Sequence, residues 1–326
     1  MSLWRFTRAY VKSMRLYYAF VTGMAGWIGV SFYHWLQVQR GETPDLHRSV
    51  AILVILFLSW GINQIINDYL GQAEDRVNAP HRPMVSGELH ANAALGVSIS
   101  LLAGTALVTW FLSPWALVPL AAGVALNVLY EYAKAWSLLG NVVFGATIAS
   151  CTAYGFLAQG PPPDPLLTSN RLCALFLVTL INGLMTYYTY FKDYRGDKLA
   201  GKQTFIVKHG LRAARWAGVF GVFLPTLAFV LFVKLGWLPL QDILFQRDFA
   251  FCGIMTIFLQ LWTAALYFRH PAGEKTYFSL ATNFRACVAG QVTLIAIFNG
   301  TLALYLLCTS YVFIGFLFDL YKDSKA

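Results

Sequence analysis

The chain has 326 residues, of which 58% are hydrophobic and only 12% charged, with a formal net charge of +9. Soluble domains carry about 25% charged residues, so this composition excludes an ordinary soluble protein and predicts an integral, multi-pass membrane protein. The basic residues lie in short loops between apolar segments, a pattern typical of orientation in a lipid bilayer and not of nucleic-acid binding. The five cysteines lie singly in apolar stretches, so neither a disulfide framework nor a zinc site is expected.

Nine segments of the chain are long and apolar enough to cross a bilayer as helices, which requires about 20 residues each. The last segment is long enough to be tilted or to consist of two pieces. Because no loop can hold a second domain, residues 1–326 are expected to form one all-α domain. The segments run from Leu16 to Trp35, Val50 to Leu70, Ala93 to Phe111, Trp115 to Tyr132, Leu139 to Leu157, Leu172 to Phe191, Trp216 to Leu235, Phe249 to Phe268, and Ala286 or later to Phe318.

The distribution of positive charge predicts the orientation of these segments. With nine crossings, most of the 24 lysine and arginine residues fall on the side that holds the N-terminus and the acid-rich loops. Cytoplasmic loops carry an excess of such residues. We therefore expect the N-terminus and any site built from the acidic residues to face the cytoplasm.

The stretch from Asn63 to Gly87 follows the second apolar segment and is unusually rich in ionisable residues for the edge of a membrane. Placing such groups near hydrocarbon costs free energy, so their presence indicates a functional site. At about 100° per residue, a helix places Asn67, Gly71, Glu74 and Asp75 in one stripe, with Asp68 about a quarter-turn away. The basic residues Arg76 and Arg82 follow.

A second acidic group ends the sixth segment, where Asp193 and Asp197 are four residues apart and share one helix face. Carboxylate and amide oxygens, without grouped His or Cys, favour Mg²⁺, which usually completes its coordination with water and substrate phosphate. Neighbouring cations suit the same phosphate. They are Arg76, Arg82, Lys134, Lys192, Lys198 and Lys202.

Acids and bases at a bilayer edge indicate a phosphorylated ligand with an apolar body, such as a polyprenyl diphosphate. Loss of the diphosphate leaves an allylic carbocation, which aromatic rings can stabilise in a water-poor pocket. Tyr130 is one candidate ring beside the acidic groups. A solvated orienting loop and an interfacial belt of tyrosines are the ordinary alternatives for these residues.

The motifs resemble those of the UbiA superfamily of intramembrane prenyltransferases. The segment from Asn67 to Asp75 is similar to the family's NDxxDxxxD motif, and the segment from Asp75 to Gly87 is similar to its DRxNxPxRPxxSG continuation. The pair Asp193 and Asp197 is similar to the family's DxxxD motif. The stretch from Tyr130 to Lys134, followed by Asn141, resembles the family's fourth-helix pattern.

The resemblance implies nine helices around a central cavity that opens toward the cytoplasm, with magnesium ions bridging a diphosphate between the two acidic motifs. It assigns metal and catalytic roles to Asn67, Asp68, Asp75, Asp193 and Asp197. It assigns substrate binding to Arg82, Lys134, Arg76, Lys198, Tyr130 and Arg15.

The chain departs from the family pattern at Gly71, where the family has an acid. Glu74, about 20° from Asn67 around the helix, is the expected substitute metal ligand. We expect transfer of an isoprenyl group from its diphosphate to a lipophilic, aromatic acceptor. Cyclisation of the isoprenyl chain without an acceptor, as in terpene cyclases of this superfamily, is the alternative, and a non-enzymatic membrane scaffold or transporter is a third class.

Overall fold

The computed structural model describes residues 2–160, 168–238, 246–272 and 275–321, apart from the side chains of Glu74 and Asn78. Within these ranges the chain is almost entirely helical. The helices are α1 (Leu3–Met14), α2 (Ala19–Gln39), α3 (Leu46–Leu70), α4 (Gln72–Asn78), α5 (Pro83–Ser86), α6 (Ala91–Leu112), α7 (Leu117–Ala133), α8 (Leu139–Gln159), α9 (Ser169–Leu199), α10 (Phe205–Gly221), α11 (Leu224–Lys234), α12 (Arg247–Arg269), α13 (Thr276–Ala296) and α14 (Gly300–Leu320).

Eight helical segments in the described part of the chain are long and apolar enough to cross a membrane. The prediction of an all-α polytopic membrane protein is therefore confirmed, whereas the number nine and the side on which the cavity opens stay predictions. Helices α2 and α13 have 21 residues each but fall outside this set. They pack between other helices, α2 against α3 and α8, and α13 against α12 and α14. Because much of their surface meets protein, they can be less apolar than lipid-facing helices.

The segment predicted from Ala286 or later to Phe318 is two helices, α13 and α14, so a single tilted crossing is wrong and the two-piece alternative is correct. The break comes at Asn299, whose backbone is extended (φ −152°, ψ 94°). Its side-chain oxygen accepts a hydrogen bond from the Leu302 amide at 2.9 Å. This is a standard helix N-cap, so the sequence starts a new helix here.

The N-terminal residues form the short helix α1, which the apolar pattern did not predict. It ends at Arg15, a non-glycine residue in the left-handed region (φ 49°). A 3-10 turn from Leu16 to Tyr18 follows, so α2 begins at Ala19 and not at Leu16. Tyr10 fixes α1 to α6 through a 2.6 Å hydrogen bond between its hydroxyl and that of Ser98.

Two short parallel strands connect the loops that flank the site. Strand β1 (Trp136–Ser137) follows α7, and β2 (Gln203–Thr204) follows α9. Trp136 pairs with Gln203 and Ser137 with Thr204. The pairing brings the end of α7 beside the end of α9, although the two loops are about 66 residues apart in sequence.

Candidate active site

A cavity of about 120 Å³ lies between α3, α4, α7, α8, α9 and the turn after α1. Its polar end is lined by Arg15, Asn67, Asp68, Asp75, Arg82, Glu131, Lys134, Lys192, Asp193, Asp197 and Lys202. Its apolar end is lined by Tyr18, Trp60, Phe144 and Met185. Trp60 precedes Asp68 by eight residues on α3, and Met185 precedes Asp193 by eight residues on α9, which separates the two ends by about 12 Å along the helix axes.

The first acidic group is held by two arginines. Arg15 Nη2 donates to both oxygens of Asp68, at 2.8 and 3.1 Å, and Gln64 Nε2 donates to Asp68 Oδ1 at 2.8 Å. Arg82 forms an ion pair with Asp75, and its Nη1 lies 3.7 Å from Asp68 Oδ1. The unusual backbone of Arg15 is what turns this side chain into the cavity, because the residue sits between α1 and the following 3-10 turn.

Gly71 interrupts the helix without breaking its register. The Gly71 amide donates to the Asn67 carbonyl at 2.8 Å, and the Asp75 amide donates to the Gly71 carbonyl at 3.0 Å. Asp68 on α3 and Asp75 on α4 therefore stay about two helical turns apart. They lie about 20° from each other around the helix axis, so Asp68 shares the stripe of Asp75 and both reach the cavity.

Asn67 presents an oxygen without a partner. Its Nδ2 donates to Asn127 Oδ1 at 2.9 Å, and Asn127 Nδ2 in turn donates to the backbone carbonyl of Asn63 at 3.4 Å. Among the described residues, the buried Oδ1 of Asn67 has no hydrogen-bond partner. A buried acceptor left unpaired is costly, so this oxygen is available to a ligand in the cavity.

The second acidic group lies on α9, across the cavity from the first. Asp193 and Asp197 are one turn apart, and both line the cavity. The backbone carbonyl of Asp197 accepts a hydrogen bond from the Lys202 amide at 2.9 Å, which folds the loop after α9 back so that Lys202 is buried beside the acids. The structure thus brings both predicted acidic groups to one site.

The basic residues are distributed around both groups. Arg82 lies in the loop after α4. Burial by itself lowers the pKa of Arg82. The nearby carboxylates of Asp68, Asp75 and Asp193 raise this pKa by more than burial lowers it, so the net shift is upward and the side chain remains a cation. Lys134 forms an ion pair with Glu131, three residues earlier on α7. Its Nζ lies 5.9 Å from the centre of the Tyr130 ring.

Two predicted site residues lie away from the cavity lining. The side chains of Arg76 and Lys198 are exposed and do not contribute to its lining. The side chain of Glu74 lies outside the described part of the structure, so its role as substitute ligand stays a prediction.

Other cavity residues, among them Gln64, Trp60 and Glu131, escaped the sequence prediction, as did Asn127, which supports Asn67 from outside the cavity. The sequence could have indicated Glu131 and Asn127, because each is a polar residue within or at the end of an apolar helix.

The apolar end is closed by aromatic rings. The Tyr18 and Trp60 rings stack with their centres 4.2 Å apart and their planes 6° from parallel. Phe144 meets Trp60 at 5.4 Å in an edge arrangement, and Tyr130 meets Phe144 at 5.3 Å. Trp60 is 5% exposed and belongs to the large buried cluster of the helix bundle, and the partly buried Tyr18 packs against this cluster. The faces of such rings attract cations.

The donor set at the polar end fits magnesium. No group of three or more His, Cys, Asp or Glu side chains at metal-binding spacing occurs among the described residues. The oxygens are instead divided between the two sides of the cavity, with the Asn67 oxygen unpaired. Mg²⁺ commonly takes one or two carboxylates from protein and the remaining ligands from water and phosphate, so a divided set suits it.

Comparisons with known proteins agree with this architecture. The sequence profile of the UbiA prenyltransferase family matches residues 27–284. Over 232 residues the chain is 28% identical to a digeranylgeranylglyceryl phosphate synthase of Thermococcus kodakarensis, which covers 70% of this chain and 79% of the relative.

Two solved structures share the fold. A UbiA homologue from Aeropyrum pernix, solved in its apo form, has a TM-score of 0.65 and 15% identity over 87% of this chain and 97% of the homologue. A UbiA homologue from Archaeoglobus fulgidus, solved with GPP and Mg²⁺, has a TM-score of 0.58 and 15% identity over 89% of this chain and 99% of the homologue.

Proposed function

Because the chain belongs to the UbiA prenyltransferase family, we propose that it transfers an isoprenyl group from a prenyl diphosphate to a lipophilic acceptor within the membrane, with Mg²⁺ as cofactor. The observation that carries the proposal is the meeting of two acidic groups, from α3–α4 and from α9, across one cavity whose opposite end is aromatic. The named synthase of Thermococcus kodakarensis and the GPP and Mg²⁺ of the Archaeoglobus fulgidus homologue support this donor class.

Magnesium would be held by the oxygens of Asn67, Asp68 and Asp75 on one side and of Asp193 and Asp197 on the other, with the diphosphate between them. When bound, the metal neutralises the charge that grows on the diphosphate as it leaves. In this structure Arg15 and Arg82 neutralise Asp68 and Asp75. Arg82, in the loop after α4, would turn from these carboxylates toward the diphosphate.

The cations of the polar end bind the diphosphate oxygens. Arg82 contributes a planar guanidinium suited to phosphate, whereas Lys134, Lys192 and Lys202 contribute compact charges. They stabilise the leaving group only if they are held in place before the reaction. The β1–β2 pairing and the Lys202 to Asp197 backbone hydrogen bond provide this for the lysines at the ends of α7 and α9.

The reaction breaks the bond between the allylic carbon and the diphosphate oxygen, and the electron pair leaves with the diphosphate. The allylic cation then lies against the faces of Tyr18, Trp60 and Phe144, which also exclude water. A nucleophilic oxygen or aromatic carbon of the acceptor forms the new bond and loses a proton to the released diphosphate.

The acceptor class needs a direct test. The relatives named for a glyceryl phosphate product indicate an acceptor with a polar headgroup, whereas the sequence predicted an aromatic one. Purified protein in lipid nanodiscs should be incubated with geranyl, farnesyl and geranylgeranyl diphosphate and Mg²⁺, with an aromatic and a glyceryl phosphate lipid acceptor supplied in turn. The proposal expects one pyrophosphate released per prenylated acceptor, measured by mass spectrometry. Absence of any prenylated product across the panel would refute it.

A terpene cyclase is the second candidate. The observation that favours it is the wall of aromatic rings at the apolar end, where Tyr18 stacks on Trp60 beside Phe144, because such rings can hold a cation while the isoprenyl chain folds back on itself. Cyclic hydrocarbon or terpene alcohol, formed in the same incubations without an acceptor, would establish this function in place of transfer.

We also propose that residues 1–326 act as one domain, with the polar end of the cavity and the N-terminus on the cytoplasmic side. The excess of lysine and arginine around the polar end supports this orientation. Labelling of a cysteine introduced at exposed Lys198 by a membrane-impermeant reagent should occur only when the cytoplasmic face is accessible.

A further inference from the structure

At Gly71 the first motif lacks the acidic side chain that the family pattern has at this position. The structure shows which atoms lie near the space that such a side chain would occupy. A Cβ atom at position 71 would lie 3.6 Å from Glu131 Oε2. The nearest other atom is the backbone oxygen of Asn67, at 3.1 Å. Gly71 and Glu131 both line the polar end of the cavity. A carboxylate from α7 therefore reaches the place that a side chain on α3 would otherwise fill.

Burying the Glu131 carboxylate at this position costs free energy. This residue lies near the end of the apolar helix α7, and only 12% of its side chain is exposed. A charged group buried there persists when it is paired or functional. Its ion pair with Lys134 compensates the charge in part. Lys134 is itself a candidate diphosphate ligand, so this pair lies within reach of the same ligand as the acids of α3 and α4.

We propose that Glu131 supplies the carboxylate that the first motif lacks at Gly71, and that it faces the magnesium and diphosphate from α7. The inference rests on the proposed function. It assigns the compensating carboxylate to Glu131 on α7 and not to Glu74, which lies on the same helical stripe as Asn67. Glu131 would then join Asn67 and Asp75 as an oxygen donor on this side of the cavity, and Lys134 would be free to face the diphosphate.

A purely structural role for Glu131 predicts something different. If Glu131 only orients Lys134, its removal should weaken diphosphate binding by the same factor at every magnesium concentration. If Glu131 faces the metal, its removal should change the magnesium dependence, and a carboxylate returned to position 71 should restore it.

The test measures Mg²⁺-dependent binding of inorganic pyrophosphate to the full-length protein in nanodiscs by calorimetry, at a series of magnesium concentrations. Variants are E131Q, the double variant G71D/E131Q, and E88Q as a control. Glu88 is matched because it also pairs with a lysine, Lys12, but lies on the exposed surface. The backbone at Gly71 (φ −92°) accepts an ordinary side chain, so aspartate is compatible there once the 3.1 Å contact relaxes.

We expect E131Q to raise the magnesium concentration needed for half-maximal pyrophosphate binding by about 10-fold or more. The G71D/E131Q variant should recover most of this loss, and E88Q should match the wild type. An E131Q protein with unchanged magnesium dependence would overturn the inference, as would a folded double variant without recovery. If E131Q does not fold, the test uses the folded G71D/E131Q variant alone. Magnesium-dependent binding of pyrophosphate to that variant would support the inference, and absence of such binding would refute it. Failure of the wild type to bind magnesium pyrophosphate would instead refute the proposed function.

Discussion

The two ends of the cavity use opposite kinds of chemistry within about 12 Å of one another. At the polar end, buried carboxylates are matched with arginines and lysines, as in the pairs of Asp68 with Arg15 and Asp75 with Arg82. At the apolar end, rings stack against each other and no charge is present among the lining residues Tyr18, Trp60, Phe144 and Met185. In the proposed reaction this difference would separate two tasks: the polar end would hold the diphosphate, and the apolar end would hold the isoprenyl chain and shelter the cation formed beside the leaving group.

The largest expected effect comes from neutralising one acid on each side of the polar end. Asp68→Asn and Asp193→Asn should each reduce pyrophosphate release from geranyl diphosphate by about 100-fold or more, because each removes a charge that faces the metal. Chelation of magnesium with EDTA should abolish release in the wild type, and added Mg²⁺ should restore it. If the polar end were merely a solvated charge cluster, each variant would retain its activity and unfold at the wild-type temperature.

Arg76 on α4 and Arg82 in the loop after α4 provide a matched pair of arginines. Arg82→Gln should raise the KM for the diphosphate by about 10- to 100-fold, since a charge-assisted hydrogen bond contributes about 1.5–3 kcal/mol. Arg76→Gln should have a small effect, because the Arg76 side chain is exposed and does not line the cavity. Equal losses in steady-state kinetics would show that Arg76 binds diphosphate as the sequence motif predicts.

Asn127 tests how the unpaired oxygen of Asn67 is oriented. Asn127→Leu removes the acceptor of the 2.9 Å hydrogen bond and should raise the magnesium concentration for half-maximal activity by about 10-fold. Asn127→Asp keeps an acceptor at the same place and should lose less. Identical magnesium dependence in both variants would mean that Asn127 serves packing alone.

Substitution of Trp60 should have the smallest effect on rate. It should have the clearest effect on specificity for the length of the prenyl diphosphate. This residue also lines a second pocket of about 50 Å³ between α3, α7 and α8. Trp60→Ala should join the two spaces and shift the ratio of kcat/KM toward longer prenyl diphosphates by about 10-fold. Val124→Phe, added to fill the second pocket, should reverse the shift. A donor preference unaffected by Trp60→Ala would show that the apolar end does not set chain length.

The polar end was largely predictable from sequence, whereas the apolar end was not. Charges are rare in this chain, so Asp68, Asp75, Asp193 and Asp197 stood out, and the cavity contains all four. Aromatic residues make up 16% of the chain and occur throughout the bundle. Nothing local therefore marks Trp60 as a cavity residue, because its place depends on how α2, α3 and α8 pack.

Two further features were not fixed by the sequence pattern, namely the approach of Glu131 to Gly71, which it did not predict, and the break between α13 and α14, which it left open. Helical periodicity relates Gly71 only to residues on its own helix, and so it favoured Glu74. The approach of Glu131 requires the packing of α3 against α7, which periodicity does not contain. Likewise the capping by Asn299 that separates α13 from α14 lies inside a continuously apolar stretch.

The central claim is that both acidic groups act on one diphosphate through magnesium. It is tested most directly by an experimental structure of the protein with Mg²⁺ and geranyl S-thiolodiphosphate, a poorly reactive donor analogue. We predict metal ions about 2.1 Å from oxygens of both groups, with the diphosphate between them and the geranyl chain against Trp60. Metal bound by only one of the two groups, or a diphosphate bound outside the cavity, would contradict the account.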